Sequence, residues 1–427
     1  MARAFIVRAL KNIFILYKMK MMRKFFLWLV VAILTAMPIG AQAGAQENIA
    51  EIVETLYKVY EDAYNQKDYR AAIRAVDDMV KRLDELDMTE AEREKNEKML
   101  NSVKSGLYYD KACAYSLLND RKNALRELER AIGFGYQDYA HLTTDTDFDN
   151  LKGDKRFQKL ARGLQKYDKR FILASSAKYR QENTDTLPRF WYQESDDRYL
   201  RHTREFFKLD SVAGTGDEVS KIISILHYVH NTIRHDGSNF AVCEGDALDI
   251  YNYHKATGKG VNCRQLAIAL NGMYLAMGFP SRFVTCMPKD ADDPDCHVIC
   301  CVYSAQLGKW LWMDPTFNAY VKDDKGNLLS IEEVRERIIS QQPLVLNDDA
   351  NWNNERKTTK QDYLDYYMAK NLYWLNCSTV SCFNPEPRYG NIAAKYVALV
   401  PPGFDSKATD RGFFVFTSDP NYFWQKP

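Results

Sequence analysis

The chain has 427 residues, 46% of them hydrophobic and 27% charged, so it is long enough for roughly two or three domains with ordinary cores. Its 58 basic and 57 acidic residues leave a net charge of +1. This balance argues against a nucleic-acid partner, because proteins that bind nucleic acids carry a basic patch or stripe.

The first 45 residues have the pattern of a secretory signal. The basic pair Arg23-Lys24 precedes an apolar run of 13 residues from Phe25 to Met37, and Ala41-Gln42-Ala43 fits a cleavage site. The apolar run is short for a membrane span. The sequence therefore predicts that residues 1–45 are a signal peptide and that the mature protein is secreted or periplasmic, with no membrane attachment.

Residues 46–165 have the pattern of amphipathic helices. Two segments that begin at Asp68 and Asp120 share this pattern and resemble tetratricopeptide repeats. Their packing alanines, Ala72 and Ala124, are 52 residues apart (124 − 72) instead of about 34, and a charged insertion at 87–104 would explain the difference. The resemblance implies an all-α, tetratricopeptide-like domain. Two interpretations stay open: a docking surface for a protein partner, or a helical pair that packs on the enzyme domain.

The polar segment 166–198 is predicted to be a linker, and a second domain is expected at 199–427. The first helix of this domain that we predict begins at Asp217, which is a good N-cap. Three histidines lie on this helix or just after it, but no carboxylate or cysteine completes a metal site with them. We interpret them as surface or hydrogen-bonded groups. They are His227, His230 and His235.

Cys263 is predicted to open a helix. Asn262 is a good N-cap, apolar residues follow at helical spacing, and Gly278 is a good C-terminal stop, so we expect a helix over 263–277. The positive end of the helix dipole lowers the pKa of a thiol in the first turn and favours the nucleophilic thiolate. The chain has nine cysteines, and this odd number leaves at least one unpaired in an exported protein.

Two further polar residues follow Cys263 at spacings of 34 and 17 residues (297 − 263 and 314 − 297). His297 begins a strand predicted over 297–303, and Asp314 ends a strand predicted over 310–313. A hairpin between these strands would bring His297 and Asp314 side by side and offer the imidazole to Cys263. This arrangement is that of a nucleophile, a base and an orienting carboxylate.

The rest of the chain is predicted to complete the second domain. We expect helices over 331–339 and 362–375, and strands over 396–400 and 413–417 that end the sheet. The closing residues Tyr422-Phe423-Trp424 are expected to be held by packing, because three adjacent aromatic side chains are costly to expose.

Two motifs around these residues suggest a family. Gly278-Phe279-Pro280-Ser281-Arg282 precedes His297, and a Trp-x-x-x-Asp-Pro-Thr motif runs from Trp310 to Thr316. Together with the helix-opening cysteine, they resemble the transglutaminase-like superfamily of papain-like cysteine enzymes. The resemblance covers roughly 200–335. One departure is Val298-Ile299, where family members often carry an aromatic residue.

The resemblance implies an α+β fold with a papain-like or transglutaminase-like core and an antiparallel sheet. It also implies that Cys263, His297 and Asp314 are catalytic. The backbone N–H of Cys263 would be one oxyanion donor by family analogy. The second donor has no match at the position expected from papain-like enzymes, and we name Asn239 in the preceding loop as a candidate.

We expect an exported cysteine-dependent amide hydrolase, a protease or amidase, that acts on a peptide or protein amide through a thioester and needs no cofactor. The alternatives are a cross-linking transglutaminase and a non-catalytic binding module that uses the helical domain. Hydrolysis is favoured because the sequence has no recognisable calcium loop and no room for added β-domains around the core. The acidic loop 290–295 is interpreted as solvated, and it would raise the pKa of His297 if it lay close.

Overall fold

Short polar residues fix the starts of the N-terminal helices. Asp68, Asp120 and Asp154 each accept a hydrogen bond from a backbone N–H in the first helical turn, which satisfies a donor that has no partner within the helix. Thr89 and Glu92 form a reciprocal capping box at the start of the longest helix. These caps explain where the helices begin without any contribution from tertiary packing.

The computed structural model describes residues 55–86, 88–182, 184–387, 396–406 and 414–427. The predicted signal peptide lies outside these residues. The chain divides after Asp168 into two compact units. No helix in the described ranges is long and apolar enough to cross a membrane.

The first unit is helical. Residues 90–104 of the charged segment that we interpreted as an insertion form the first half of the long helix Glu90–Leu117, because the Thr89 cap starts a helix there. Apolar side chains from all six helices that the structure describes in this unit share one core. The helices are α1 (described part 55–65), α2 (Tyr69–Asp84), α3 (Glu90–Leu117), α4 (Arg121–Gly133), α5 (Tyr139–Thr144) and α6 (Lys155–Leu164). Two 3-10 turns, Thr146–Phe148 and Gln165–Tyr167, complete this unit.

The second unit combines helices with a six-stranded sheet. This unit includes residues 169–198, which are most of the segment that we predicted as a linker. Leu173 lies in the core of the unit, and Trp191–Tyr192 pairs with Val380–Ser381. Its helices are α7 (Lys169–Ala174), α8 (Arg198–Phe206), α9 (Leu209–Ala213), α10 (Glu218–Thr232), α11 (Ala247–Thr257), α12 (Cys263–Ala276), α13 (Ile331–Ile339), α14 (a π-helical part Gln361–Met368 and an α-helical turn Ala369–Asn371) and α15 (Pro420–Phe423).

The central sheet has six strands, numbered here by their place in the chain. They are β2 (Ser281–Met287), β3 (His297–Ser304), β4 (Lys309–Met313), β9 (Trp374–Ser378), β11 (Tyr396–Leu399) and β12 (Phe414–Thr417). Their order in the sheet is β12-β11-β9-β2-β3-β4. The pairs are antiparallel except for β11 and β12, which are parallel. The purely antiparallel prediction is therefore wrong at this edge. The 14 residues between the two strands, 400–413, are enough for the crossover that a parallel pair requires.

Six two-residue strands form three small pairs outside this sheet. These are β1 (Trp191–Tyr192) with β10 (Val380–Ser381), β5 (Val321–Lys322) with β6 (Val345–Leu346), and β7 (Asn351–Trp352) with β8 (Arg356–Lys357). The β7–β8 hairpin turns through Asn353 and Asn354. Both residues have positive φ angles, 54° and 58°, a conformation that asparagine tolerates well in hairpin turns.

The helix α12 lies at the centre of the second unit. Nearly every residue from Gln265 to Ala276 is buried, because β2 and β3 pack on one side and α8, α10 and α11 on the others. Its observed start confirms the prediction from Asn262 and Cys263. The predicted helix over 362–375 is wrong at its end, where Trp374 and Leu375 pair with β2 as the start of β9. An apolar stretch rich in aromatic residues is compatible with a helix or with a strand, and here pairing with the neighbouring strand β2 makes it a strand.

Candidate active site

Cys263 is the first residue of α12. The side chain of Asn262 accepts a hydrogen bond from the backbone N–H of Gln265 at 3.0 Å, which caps the helix and leaves the thiol in its first turn. The thiol is half-buried, whereas Cys286, Cys300, Cys301 and Cys377 are buried in the strands behind it. Cys263 is therefore more exposed than these four cysteines.

His297 and Asp314 form a buried hydrogen-bonded pair. His297 Nε2 donates to Asp314 Oδ2 at 2.7 Å, and the two residues are only 1% and 0% exposed. The strand register explains this contact. Met313 pairs with Cys300, so the next residue, Asp314, lies opposite Ile299. Ile299 is two residues from His297, which brings the two side chains within reach of each other. The sequence-based expectation for this contact agrees with the observed hairpin.

Other donors hold the Asp314 carboxylate. The backbone N–H of Thr316 donates to Oδ1 at 2.8 Å, and the hydroxyl of Tyr363 donates to Oδ2 at 2.5 Å. The indole of Trp312 in turn donates to the Tyr363 hydroxyl at 3.2 Å. Sequence reasoning missed Tyr363, which lies on the π-helical part of α14, and no spacing rule links it to Asp314.

The charges in this pair reinforce each other. Burial opposes ionisation of both groups, but the His297 imidazolium lowers the pKa of Asp314, and the Asp314 carboxylate raises the pKa of His297 to about 10 against the effect of burial. Because Nε2 is bonded to Asp314, Nδ1 is the ring nitrogen left for Cys263. His297 is therefore a charged donor beside the thiol at neutral pH.

Two imidazoles lower the pKa of the Cys263 thiol. Burial raises its pKa, but hydrogen bonds from His235 and His297, together with the positive charge of His297, outweigh this effect and lower the pKa to about 6. The side chain is thus mainly a thiolate at pH 7. By contrast, burial raises the pKa of Cys296, the neighbour of His297 in sequence.

Aromatic side chains enclose His297. The rings of Phe317 and Tyr367 lie 5.6 Å and 5.2 Å from the imidazole, and Phe317 also contacts Tyr363. The Tyr367 hydroxyl donates to the backbone carbonyl of Cys296 at 3.3 Å, which ties α14 to the start of β3. These contacts restrict the imidazole to the orientation that faces both Asp314 and Cys263.

A lysine of α14 pairs with two of the four aspartates in the acidic loop 290–295. Lys370 Nζ contacts Asp293 Oδ2 at 2.9 Å and Asp295 Oδ2 at 2.8 Å. The pKa of His297 responds to Asp314 and Cys263, as described above, rather than to this loop. The ion pairs join the loop to α14, while Asp290, Asp292 and Asp295 stay exposed, as expected for a solvated loop.

The three histidines near α10 have different surroundings. His230 is buried and bonds the Pro315 carbonyl and the Asn351 amide oxygen, each at 2.9 Å, while His227 bonds Asn318 Oδ1 at 2.8 Å. These two are hydrogen-bonded structural groups, as expected. His235 instead helps to lower the pKa of Cys263, an influence that the sequence did not reveal.

Asn239 does not point its amide at the nucleophile. Its Nδ2 donates to the Gly260 carbonyl at 2.6 Å and to the Tyr253 hydroxyl at 3.1 Å, so both amide hydrogens are in use. Our candidate for the second oxyanion donor is therefore wrong. Asn239 fixes the loop that precedes Cys263.

The first unit contains a separate group of potential metal ligands. Cys113, Asp145 and Asp147 bring one ligand atom each within 4.8 Å of one another. Hydroxyl donors already occupy the carboxylates: Tyr109 donates to Asp145 at 2.8 Å, and Tyr64 donates to Asp147. This cluster works as a hydrogen-bond network that holds the turn at 145–148 in the helical core.

Comparison with known proteins locates a transglutaminase-like domain in the second unit. Residues 207–315 match the transglutaminase-like superfamily, and this range contains Cys263, His297 and Asp314. A chloroplastic protein from Arabidopsis thaliana is 37% identical over 68 residues, which cover 16% of this chain and 19% of that protein. The chain thus spans about a fifth of the length of this curated relative. No solved structure matches the chain.

Proposed function

We propose that the protein is a cysteine-dependent amide hydrolase of the transglutaminase-like superfamily. The observation that carries this proposal is the buried His297–Asp314 pair, whose imidazole helps to lower the pKa of the half-buried Cys263 to about 6. A thiolate beside an oriented imidazolium is the chemical state that attacks a carbonyl carbon.

The reaction follows from these roles. The Cys263 sulfur forms a bond to the amide carbon, and the carbonyl electron pair moves to oxygen. When the tetrahedral intermediate collapses, the C–N bond breaks, and His297 protonates the leaving amine as general acid. Water then attacks the thioester while His297 takes its proton, and the thiolate leaves as the acid product is released. Asp314 keeps the imidazole oriented throughout and stabilises its charge whenever the ring holds the proton.

Hydrolysis is favoured over cross-linking by the exposure of the nucleophile. Cys263 is only half-buried in the first turn of α12, and we infer that water is able to reach a thioester formed there. An enzyme that joins the acyl group to an amine must exclude water from this intermediate. Cross-linking is the alternative outcome of the same thioester chemistry.

A loop beside the nucleophile offers an apolar surface to a peptide substrate. Gln265 holds Ala241 by two hydrogen bonds, of 2.9 Å to its N–H and 2.8 Å to its carbonyl. The flanking side chains of Phe240 and Val242 are 68% and 63% exposed. Because this loop is fixed to the first turn of α12, we propose that it contacts an apolar side chain next to the amide to be cleaved.

Export and partner binding complete the proposal. The signal-like segment at 23–45 supports a secreted or periplasmic protein, and the helical unit supports a docking role through its likeness to tetratricopeptide repeats. N-terminal sequencing of exported protein should begin at Gly44 or Gln46. Residues from upstream of Phe25 in that material would contradict export with cleavage.

The direct test uses the mature protein and a panel of peptide amides. Wild-type protein should release free acid, Cys263→Ala should release none, and a thiol-directed probe should label Cys263 before the other cysteines. A large excess of a primary amine should leave free acid as the main product by mass spectrometry. An amine adduct as the main product would replace hydrolysis by cross-linking, and full activity in Cys263→Ala would remove the thiol from the reaction.

A further inference from the structure

Attack on an amide carbonyl requires donors for the developing oxyanion. The backbone N–H of Cys263 is one suitable group, because the first N–H groups of a helix have no partner within it. A second donor is needed from another segment. Asn239 is excluded, since both of its amide hydrogens go to Gly260 and Tyr253. The other imidazole at the thiol, His235, remains to be considered.

The tautomer of His235 is fixed by a tryptophan. Trp352 Nε1 donates to His235 Nδ1 at 2.9 Å. An indole nitrogen is only a donor, so Nδ1 must be the acceptor and the proton of the neutral ring is on Nε2. The ring therefore carries an N–H on the side away from Trp352. The His235–Val261 bridge brings this residue beside the segment that leads into Cys263, and its ring lowers the pKa of the Cys263 thiol.

The backbone of His235 is held from two sides. The Asn353 side chain accepts a hydrogen bond from the His235 N–H at 2.8 Å and donates one to the His235 carbonyl at 3.0 Å. The β7–β8 hairpin therefore binds both backbone polar groups of His235. On the other side, His235 forms a parallel bridge with Val261. The adjacent Asp236 N–H donates to the Val261 carbonyl at 2.8 Å. These contacts fix the segment next to the residues that lead into Cys263.

Gly260 permits this close approach. A Cβ atom at Gly260 would lie 2.8 Å from the backbone nitrogen of Asp236 and 2.8 Å from the carbonyl carbon of His235, distances that real Cβ atoms do not show. A larger residue would push the two segments apart. Glycine at position 260, which has no side chain, therefore allows the His235 segment to lie close to the segment that leads into Cys263.

We propose that His235 Nε2–H is the second oxyanion donor of this active site, acting with the backbone N–H of Cys263. The inference rests on the proposed acyl-transfer function. When the Cys263 sulfur bonds to a carbonyl carbon, the C=O electron pair moves to the oxygen, and a donor already at the sulfur is within reach of that oxygen. His235 makes no proton transfer in this scheme, which separates its role from that of His297.

The test measures the tetrahedral adduct directly and does not depend on turnover. N-Acetyl-phenylalaninal adds to a cysteine thiolate to give a hemithioacetal, whose oxygen occupies the oxyanion position. Its affinity is read from the protection of Cys263 against iodoacetamide at a pH where the thiol is ionised in every variant. His235→Phe removes the donor, His235→Ala does the same if phenylalanine is not tolerated, and His235→Gln keeps an N–H donor near the position of Nε2.

We expect His235→Phe to weaken aldehyde binding at least about tenfold and to lower kcat for a peptide amide about 100-fold with little change in KM. His235→Gln should recover most of both losses. Equal aldehyde affinity in wild type and His235→Phe, no recovery in His235→Gln, or no adduct with the wild type would each overturn the proposal.

The two readouts separate this inference from the proposed function. If the wild-type protein cleaves no amide but His235→Phe still binds the aldehyde more weakly than wild type, the oxyanion role of His235 is supported and the hydrolase proposal is contradicted. Amide hydrolysis at equal rates in wild type and His235→Phe would support the hydrolase and overturn the role of His235.

Discussion

Tyr363 donates its hydroxyl hydrogen to the same carboxylate oxygen of Asp314 that accepts the hydrogen bond from His297. The pKa of Tyr363 is raised far above its ordinary value by burial and by the Asp314 charge, so the hydroxyl stays protonated and remains a donor. The π-helical part of α14 places this residue over the end of β4. A widened helical turn is a recurring feature of functional sites.

Removing this hydroxyl should weaken the site. Tyr363→Phe leaves Asp314 with one fewer donor and leaves the buried indole N–H of Trp312 without its acceptor. We expect a loss of about 1–3 kcal/mol in the free energy of unfolding and a fall in kcat of about tenfold. Thermal denaturation and steady-state kinetics measure the two effects. Tyr366→Phe is the matched control, because Tyr366 is on the same segment and 65% exposed; equal losses in both variants would contradict the prediction.

Asp314→Asn should separate folding from activity. The amide is nearly the size of the carboxylate, but it lacks the negative charge that orients His297 and keeps it protonated. We expect kcat to fall by up to about 10⁴-fold, the scale known for the same change in a Ser-His-Asp enzyme. The far-ultraviolet circular dichroism should remain that of the wild type. A near wild-type rate would remove Asp314 from the mechanism.

Activity should depend on pH through the Cys263–His297 pair. The thiolate gains a proton as the pH falls through about 6, and the imidazolium loses its proton as the pH rises through about 10. The value of kcat/KM should therefore be nearly constant between these limits and fall outside them. The rate of Cys263 alkylation by iodoacetamide should show the same acid limb. An acid limb near the ordinary cysteine pKa of about 8.5 would contradict this prediction.

Arg282, the last residue of the Gly-Phe-Pro-Ser-Arg motif, should matter for stability. Its buried guanidinium lies 4.4 Å and 4.3 Å from the rings of Phe190 and Trp310 and donates to the Phe423 carbonyl at 2.9 Å. This contact helps to hold the C-terminal aromatic residues, which we expected to be packed. Lysine cannot stack its charge in this way and is more strongly hydrated.

We therefore expect Arg282→Lys to lower the free energy of unfolding by about 2 kcal/mol or more, as measured by urea denaturation. The control is Arg198→Lys, because Arg198 is exposed and stacks on Tyr199 with its guanidinium carbon 4.5 Å from the ring centroid. Equal stability losses in the two variants would show that burial of Arg282 has no special importance.

Phe240→Ser tests the proposed contact with substrate. The side chain is 68% exposed, so its removal should leave the fold and the rate of Cys263 alkylation unchanged. The KM for peptides with an apolar residue beside the cleaved amide should rise several-fold, since about 1–3 kcal/mol of apolar contact is lost. Val345→Ser, an exposed apolar change elsewhere in the same unit, provides the control. An unchanged KM in Phe240→Ser would place substrate on another surface.

The sequence alone determined the local parts of the site. Asn262 caps α12 and so puts Cys263 at a helix start, and the short hairpin between β3 and β4 puts His297 near Asp314. These features depend on residues close in sequence, where capping, periodicity and turn length act directly. The same local rules predicted α13 at 331–339 and the two last strands of the sheet.

Only the tertiary structure decided which side chains surround these three residues. Tyr363 meets Asp314 from 49 residues away, and Trp352 fixes the tautomer of His235 from 117 residues away. Both contacts depend on a π-helical turn and on a hairpin with positive φ angles at Asn353 and Asn354, neither of which has a periodicity that the sequence displays. The helix end at 372–375 changed for the same reason: an available strand edge at β2 offered Trp374 hydrogen bonds that local propensity does not encode.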